Sequence, residues 1–156
     1  MTDKKSDQAI KIVNNYIKGT VAIGLVPMPL LDSLAISAAQ LKMLHSLAKL
    51  YELEFSDSRG KSVLASLLGS TLPLSLKINL FSLCKGIPVL GQAVGMLGLP
   101  VLAGAATYAI GHVFIQHFES GGTLLDFDPE KVREYYQQQL HRGKEVVRES
   151  FIGVRP

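Results

Sequence analysis

The fragment that most invites a chemical reading is Gly60-Lys61-Ser62, the ending of a phosphate-binding loop, preceded by the strand-like Tyr51–Phe55 and followed by an apolar run. Such a loop needs a further glycine five residues before the second one, so that backbone amides can wrap the phosphate oxygens. Phe55 stands in that place, and no later strand ends in a magnesium-binding aspartate, so the fragment is expected to be a helix start. His45, His112, His117 and His141 could serve acid/base or metal chemistry. His112 and His117, however, are five apart and do not share a helix face as a ligand pair would. Cys84 is the single cysteine, which excludes a disulfide framework and any multi-cysteine metal site. There is no Gly-x-Ser-x-Gly elbow, no paired carboxylate constellation in an apolar setting and no Gly-x-Gly-x-x-Gly loop. The expectation is a non-enzymatic protein with no catalytic, cofactor-binding or metal-ligating residues. An enzyme using His112 or His117 is the remote rival.

The elements carrying these residues are unusually apolar. Of 156 residues, 47% are hydrophobic and 19% charged, with a mean hydropathy of +0.25. That composition excludes intrinsic disorder and suffices for one domain with its own core. The net charge of +3 and pI near 9.0 are too mild to indicate a nucleic-acid binder. Charge is also segregated. Met1–Lys61 and Glu119–Pro156 hold all of it except Lys77 and Lys85, and from Gly86 to Phe118 no side chain is formally charged. The N-terminal stretch lacks the continuous apolar core and cleavage site of a signal peptide.

Hydrophobic spacing predicts an all-α helical bundle in one domain, residues 1–156. Residues 1–55 read as an amphipathic helical hairpin, 56–118 as an apolar hairpin interrupted by glycine and proline, and 119–156 as a loop and polar helix. Helix one starts at a Ser6 cap with Ile10, Val13, Ile17 and Val21 inward, and breaks at Pro27-Met28-Pro29. The second helix runs from about Leu30 to Tyr51 with Leu34, Leu41, Leu44 and Ala48 inward, and with Asp32, Gln40, Lys42 and Lys49 off that face. Tyr51–Phe55 reads as a connector. Helix three should run from about Asp57 toward Leu83, bent near Gly69–Pro73, with a break at Gly86-Ile87-Pro88. Ile87–Phe118 gives one or two further helices around Pro100, ended by Gly121-Gly122. Asp128-Pro129-Glu130 supplies a cap, a proline and a first-turn acid for a helix from Glu130 to about His141, beyond which the chain continues or frays.

The apolar middle carries the functional expectation. Ile87–Gln116 exceeds the roughly 20 mainly apolar residues that a spanning helix requires. Gly91, Gly95, Ala103, Thr107 and Gly111 form a small-residue face suited to close helix packing, within the chain or between copies in a homo-oligomer. Together with Val63–Leu76 this stretch could form a hairpin dipping into or spanning the membrane. Arg59 and Lys61 before it, and Lys131 and Arg133 after it, would keep both termini on the cytoplasmic side. A soluble bundle that inserts on a trigger, as pore-forming or membrane-remodelling domains do, is the alternative. Phe118, Glu119, Leu124, Leu125 and Phe127, around the Gly121-Gly122 corner, form a candidate partner surface, the competing expectation being that its leucines fold back onto the bundle.

Three stretches carry a family resemblance: Gly24-Leu25-Val26-Pro27-Met28-Pro29-Leu30-Leu31-Asp32; the helix Gln40-Leu41-Lys42-Met43-Leu44 continuing to Leu47-Ala48-Lys49-Leu50-Tyr51; and Phe118-Glu119-Ser120-Gly121-Gly122-Thr123-Leu124-Leu125-Asp126-Phe127. From about Ile10 to Gln138 the chain resembles the bacterial YcjF-type domain of unknown function. The resemblance implies a mostly helical protein at the bacterial inner membrane, in contact with membrane lipid and with a GTPase partner. Nucleotide chemistry would then belong to another chain, in keeping with the failed phosphate loop. It implies no catalytic residues and no nucleic-acid partner.

Overall fold

The computed structural model describes residues 2–26, 29–71 and 95–153. Five α-helices lie among them: α1 Thr2–Gly24, α2 Pro29–Leu50, α3 Asp57–Thr71, α4 Gly95–Glu119 and α5 Arg133–Val147, the last continued by a π-type turn Arg148–Ile152. The fold class is all-α, and no strand occurs among the described residues. Gly91, Cys84, Lys77, Lys85, the Gly86-Ile87-Pro88 break and the expected extension of helix three to Leu83 lie outside the described residues.

Helix α4 is the centre of the bundle. It packs on α1 and α5, more lightly on α2, while α3 packs on α2 and α5. Within the described part of the apolar middle, α4 finds its main partners in the amphipathic α1 and the polar α5. A helix apolar on nearly every side is stable in water only when other helices cover it. Ala105, Ala109, Ile110 and Phe114 on α4 are completely buried, as are Ala9 and Ile17 on α1 and Met43, Leu44, Leu47 and Ala48 on α2. Each fully buried Leu, Ile or Phe contributes about 1.5–3 kcal/mol of transfer free energy.

Three close approaches set the helix directions. A Cβ on Gly111 would lie 2.5 Å from Val13 of α1, and one on Gly104 2.6 Å from Val21, so α1 and α4 run antiparallel. A Cβ on Gly143 would meet the Ala105 carbonyl oxygen at 3.0 Å, while one on Gly104 would also meet Val147 at 2.9 Å, so α5 is antiparallel to α4 as well. Gln40 Nε2 donates to Thr107 Oγ1 at 3.4 Å, and Tyr51 donates its hydroxyl to Glu119 at 2.9 Å, which makes α2 parallel to α4. Thr107 in turn donates to the Ala103 carbonyl at 2.8 Å.

Several details differ from the periodicity. Helix α1 starts at Thr2, with Ser6 inside it; its buried face is Ala9, Val13, Ile17 and Val21, and Ile10 is partly exposed. On α2, Leu34 is 70% exposed and Gln40 is buried. The inward positions there are Gln40, Met43, Leu44, Leu47 and Ala48, because the helix meets α4 through a polar contact that hydrophobic spacing does not register. Asp128-Pro129-Glu130 forms a turn in which Asp128 accepts the Glu130 amide at 3.0 Å. Helix α5 starts three residues later, at Arg133, without a side-chain cap. It is also longer than expected, reaching Val147, and the π-type turn ends at Gly153 in the left-handed region.

Helices α2 and α4 both close with paired backbone bonds. After α4, Gly122 donates to the His117 carbonyl at 2.9 Å and Gly121 to that of Phe118 at 3.1 Å, with Gly121 at φ 86°. After α2, Leu53 donates to Ala48 and Glu52 to Lys49, and here the left-handed position, φ 61°, is occupied by Glu52. A side chain in that conformation is strained, and glycine is the usual occupant. Glu52→Gly should raise the melting temperature by about 2–4 °C, despite losing the exposed pair with Lys5 at 2.9 Å. Glu52→Gln, which keeps the strain and removes the charge, should show no gain in calorimetry.

Candidate functional site

The Gly60-Lys61-Ser62 fragment lies in the first turns of α3. The Gly60 amide donates to the Ser56 carbonyl at 2.8 Å, an ordinary first-turn bond. Glycine is needed there for packing, since a Cβ would lie 2.7 Å from Leu41 and 2.8 Å from the Phe55 ring. Beside it, a groove of about 710 Å³ runs between α2 and α3. Its walls include Leu34, Ala38, Leu41, Leu64 and Leu68, with Lys42, His45, Asp57 and Lys61 also lining it. His45 stacks on Phe55 at 4.6 Å. Among the described residues no three His, Cys, Asp or Glu side chains come together as a metal site would require.

The corner after α4 is the most densely bonded polar feature. Gly122 lies against the His117 ring so closely that a Cβ there would overlap it. His117 Nε2 donates to the Thr123 carbonyl at 2.8 Å, and Asp126 Oδ1 lies 3.4 Å from the same nitrogen. Asp126 accepts the Thr123 amide at 2.6 Å and the Thr123 hydroxyl at 3.0 Å. The Thr123 amide bond is the largest cause holding the Asp126 carboxyl below its usual range. The Phe127 ring meets His117 edge-on at 5.2 Å and stacks on Phe114 at 4.7 Å. With one nitrogen committed to a backbone carbonyl, His117 fastens the loop to the helix end.

These contacts divide the five residues proposed as a partner surface. Phe118 and Leu124 are buried, Phe127 is half-buried against Phe114, and Glu119 is exposed but accepts the Tyr51 hydroxyl. Leu125 alone of the apolar members projects, at 70% exposure. The apolar side chains thus cap the bundle and do not make a continuous outward patch, because the tight turn at Gly121 folds the loop back over α4. Of the small-residue face, Gly95 lies in the first turn of α4, Ala103 and Thr107 are buried, and Gly111 meets α1. Spacing by fours missed Gly104 and Gly143. The heptad step from Gly104 to Gly111 was the available signal for the α1 seam.

His112 lies elsewhere, half-buried beside Tyr108 at a ring distance of 4.2 Å. Burial, and secondarily the Arg142 charge, push its pKa below the ordinary histidine value of 6.5. The folded protein then binds fewer protons than the unfolded chain, so this contribution to stability is complete above that value and is lost as pH falls through the depressed one. His112→Phe should flatten the decline in urea-unfolding stability between about pH 7 and pH 5. An unchanged slope would rule His112 out as its source. Burial also raises the Tyr136 hydroxyl to about 12, and burial followed by the Glu119 bond raises that of Tyr51.

No helix among the described residues is long and apolar enough to cross a membrane. No solved structure matches the chain. Over 137 residues, 87% of this chain and 70% of the relative, it is 42% identical to Magnetosome membrane protein 22 of Magnetospirillum gryphiswaldense. The family model described as a domain of unknown function, DUF697, matches residues 1–145. The chain belongs to the DUF697 family, in keeping with its resemblance to YcjF-type domains.

Proposed function

We propose that the protein is a non-enzymatic, membrane-associated helical module that holds or regulates a protein partner at the bilayer. The observation carrying this reading is the extended likeness to a relative named as a magnetosome membrane protein. The structure supports a surface mode of association. Helix α4, the most apolar described helix, buries most of its described side chains against α1, α2 and α5, with Leu102 left 44% exposed. A bacterial inner membrane and cytoplasmic termini are part of the proposal, as is a GTPase as the partner class. The motif logic is consistent with this, since Gly60-Lys61-Ser62 serves α3 packing and leaves nucleotide chemistry to another chain.

The test is fractionation of native cells followed by crosslinking. Recovery in the membrane pellet, released by detergent and crosslinked to a nucleotide-hydrolysing protein, is the expected result. Complete recovery in the high-speed supernatant without detergent would falsify the membrane reading. A membrane pellet with crosslinks only to proteins that bind no nucleotide would remove the GTPase.

A further inference from the structure

The helix directions sort the charges of this protein into two poles. Because α1 and α4 are antiparallel, α2 parallels α4, and α3 runs back along α2, four element ends meet at one pole: the end of α1, the start of α2, the end of α3 and the start of α4. The end of α5 arrives there too, through Val147 beside Gly104. Each of the first four helices is nearly bare of charge toward this pole. No Asp, Glu, Lys or Arg occurs in residues 19–31, 33–41, 62–71 or 95–118, leaving Asp32 in the first turn of α2 as the exception. The other pole gathers the opposite inventory: Asp3, Lys4, Lys5 and Asp7, the 49–59 connector, and the 119–134 corner.

The uncharged pole is also where apolar side chains meet solvent. Of the six exposed large hydrophobic residues among the described ones, Leu25, Val26, Leu34 and Leu102 belong to it, at 58%, 48%, 70% and 44% exposure. Below it stand three lysines, one on each of α1, α2 and α3. Lys18 is the last charge on α1 before the bare stretch, Lys42 the first on α2 after it, and Lys61 the last on α3 before it, all three exposed. At 1.5 Å per residue they lie about 10–12 Å down the bundle from Leu25, Leu34 and Leu68 respectively. The α5 side contributes Lys144, Glu145, Arg148 and Glu149, two charges of each sign, with Gly143 beside them packed on Ala105 and Tyr108. The chain leaves α3 at Thr71 and enters α4 at Gly95 at this same end, and residues 72–94 between them contain no acid and only Lys77 and Lys85.

We infer that this pole is the membrane-contacting surface: Leu25, Val26, Leu34 and Leu102 enter the outer hydrocarbon of the bilayer while Lys18, Lys42 and Lys61 reach anionic headgroups. The inference rests on the membrane reading above and adds the orientation, with the bundle standing end-on and its charged pole carrying Glu119 and the 123–128 loop away from the lipid. An apolar tip backed by lysines on three of its helices matches the layering of an anionic bilayer, whose hydrocarbon lies roughly a headgroup's depth beneath its phosphates. A protein partner would not require this order of layers.

The experiment floats the full chain with vesicles of phosphatidylethanolamine and phosphatidylglycerol. Wild type and the control I10D/L125D, which charges exposed apolar sites away from the pole, should float alike. L25D/V26D/L34D/L102D should reduce the floated fraction by about tenfold or more. K18E/K42E/K61E should weaken binding to these vesicles and leave binding to uncharged vesicles unchanged. As a readout independent of the tolerance for four aspartates, an environment-sensitive dye is placed at Leu34→Cys or Leu125→Cys in a Cys84→Ser background. Vesicles should shift the first probe to the blue and leave the second in water. If the aspartate variant floats like wild type, or if the Leu125 probe enters lipid and the Leu34 probe does not, the orientation is overturned while the membrane reading stands. Loss of a co-purified protein with vesicle binding intact would reassign the pole to a protein contact. Failure of the wild type both to float and to pellet with native membranes would overturn the inference and the membrane reading together.

Discussion

Phe114→Ala should destabilise the protein by about 3–5 kcal/mol, a large share of the roughly 5–15 kcal/mol that holds a domain folded. Phe114 is completely buried. Its ring stacks on Phe127 at 4.7 Å and lies 5.6 Å from Phe118, so one side chain joins the last turns of α4 to the loop after it. Alanine leaves a cavity that helices locked at glycine contacts cannot collapse to fill, which puts the expected cost toward the upper end of the range. Two readouts are expected in urea denaturation and NMR: a midpoint shift of that size, and loosening of the His117–Thr123 bond as Phe127 loses its stacking partner. Phe114→Leu, which fills most of the volume, should recover about half the loss. A loss below about 1 kcal/mol for alanine would mean that the corner is not packed on α4 as described.

The second large effect concerns the seam between α1 and α4. Gly111→Ala should cost about 1–3 kcal/mol through overpacking, since the new methyl would lie 2.5 Å from one Val13 methyl and 2.6 Å from the other. Val13→Ala alone should also destabilise, by the transfer energy of its buried methyls plus a cavity, at about 0.8 kcal/mol per methylene-sized group. Combined, the two changes should be less harmful than their sum by about 0.5–3 kcal/mol, because the added methyl occupies the space the valine leaves. Strict additivity in this cycle would show that α1 does not approach α4 at Gly111. The same argument gives Gly104 less freedom, as Val21 of α1 and Val147 of α5 both press on it.

Parts of this molecule are legible residue by residue. The Gly121-Gly122 stop is visible because a left-handed position after a helix favours glycine. The Pro27-Met28-Pro29 separation is visible because proline breaks a helix. The inward Val13, Ile17 and Val21 follow from spacing alone. Other features defeat local reading for stated reasons. Glu52 closes α2 where glycine would be expected, held there by the paired amides of Glu52 and Leu53. Asp128-Pro129 has the chemistry of a helix cap and makes a turn, because burying Tyr136 against the core sets where α5 begins. Leu34 and Gln40 exchange their expected environments because Thr107, distant in sequence, offers Gln40 a hydrogen bond.

By itself the sequence determined the all-helical class, about half of the helix limits, the failed phosphate loop and the clustering of charge toward its two ends, all consequences of local propensity and composition. Tertiary structure decided what those properties mean. Hydrophobicity measures how strongly a side chain avoids water, and it does not say whether protein or lipid will cover it. Ile87–Gln116 reads as a membrane segment as a string of residues, yet the part of it in α4 is covered by α1 and α5 and serves as the core of the bundle. Leu25, Val26, Leu34 and Leu102, unremarkable and far apart in the chain, share a pole because antiparallel packing brings the uncharged ends of four helices to one level. Separation in sequence carries no record of that meeting; only the packed helix directions create it.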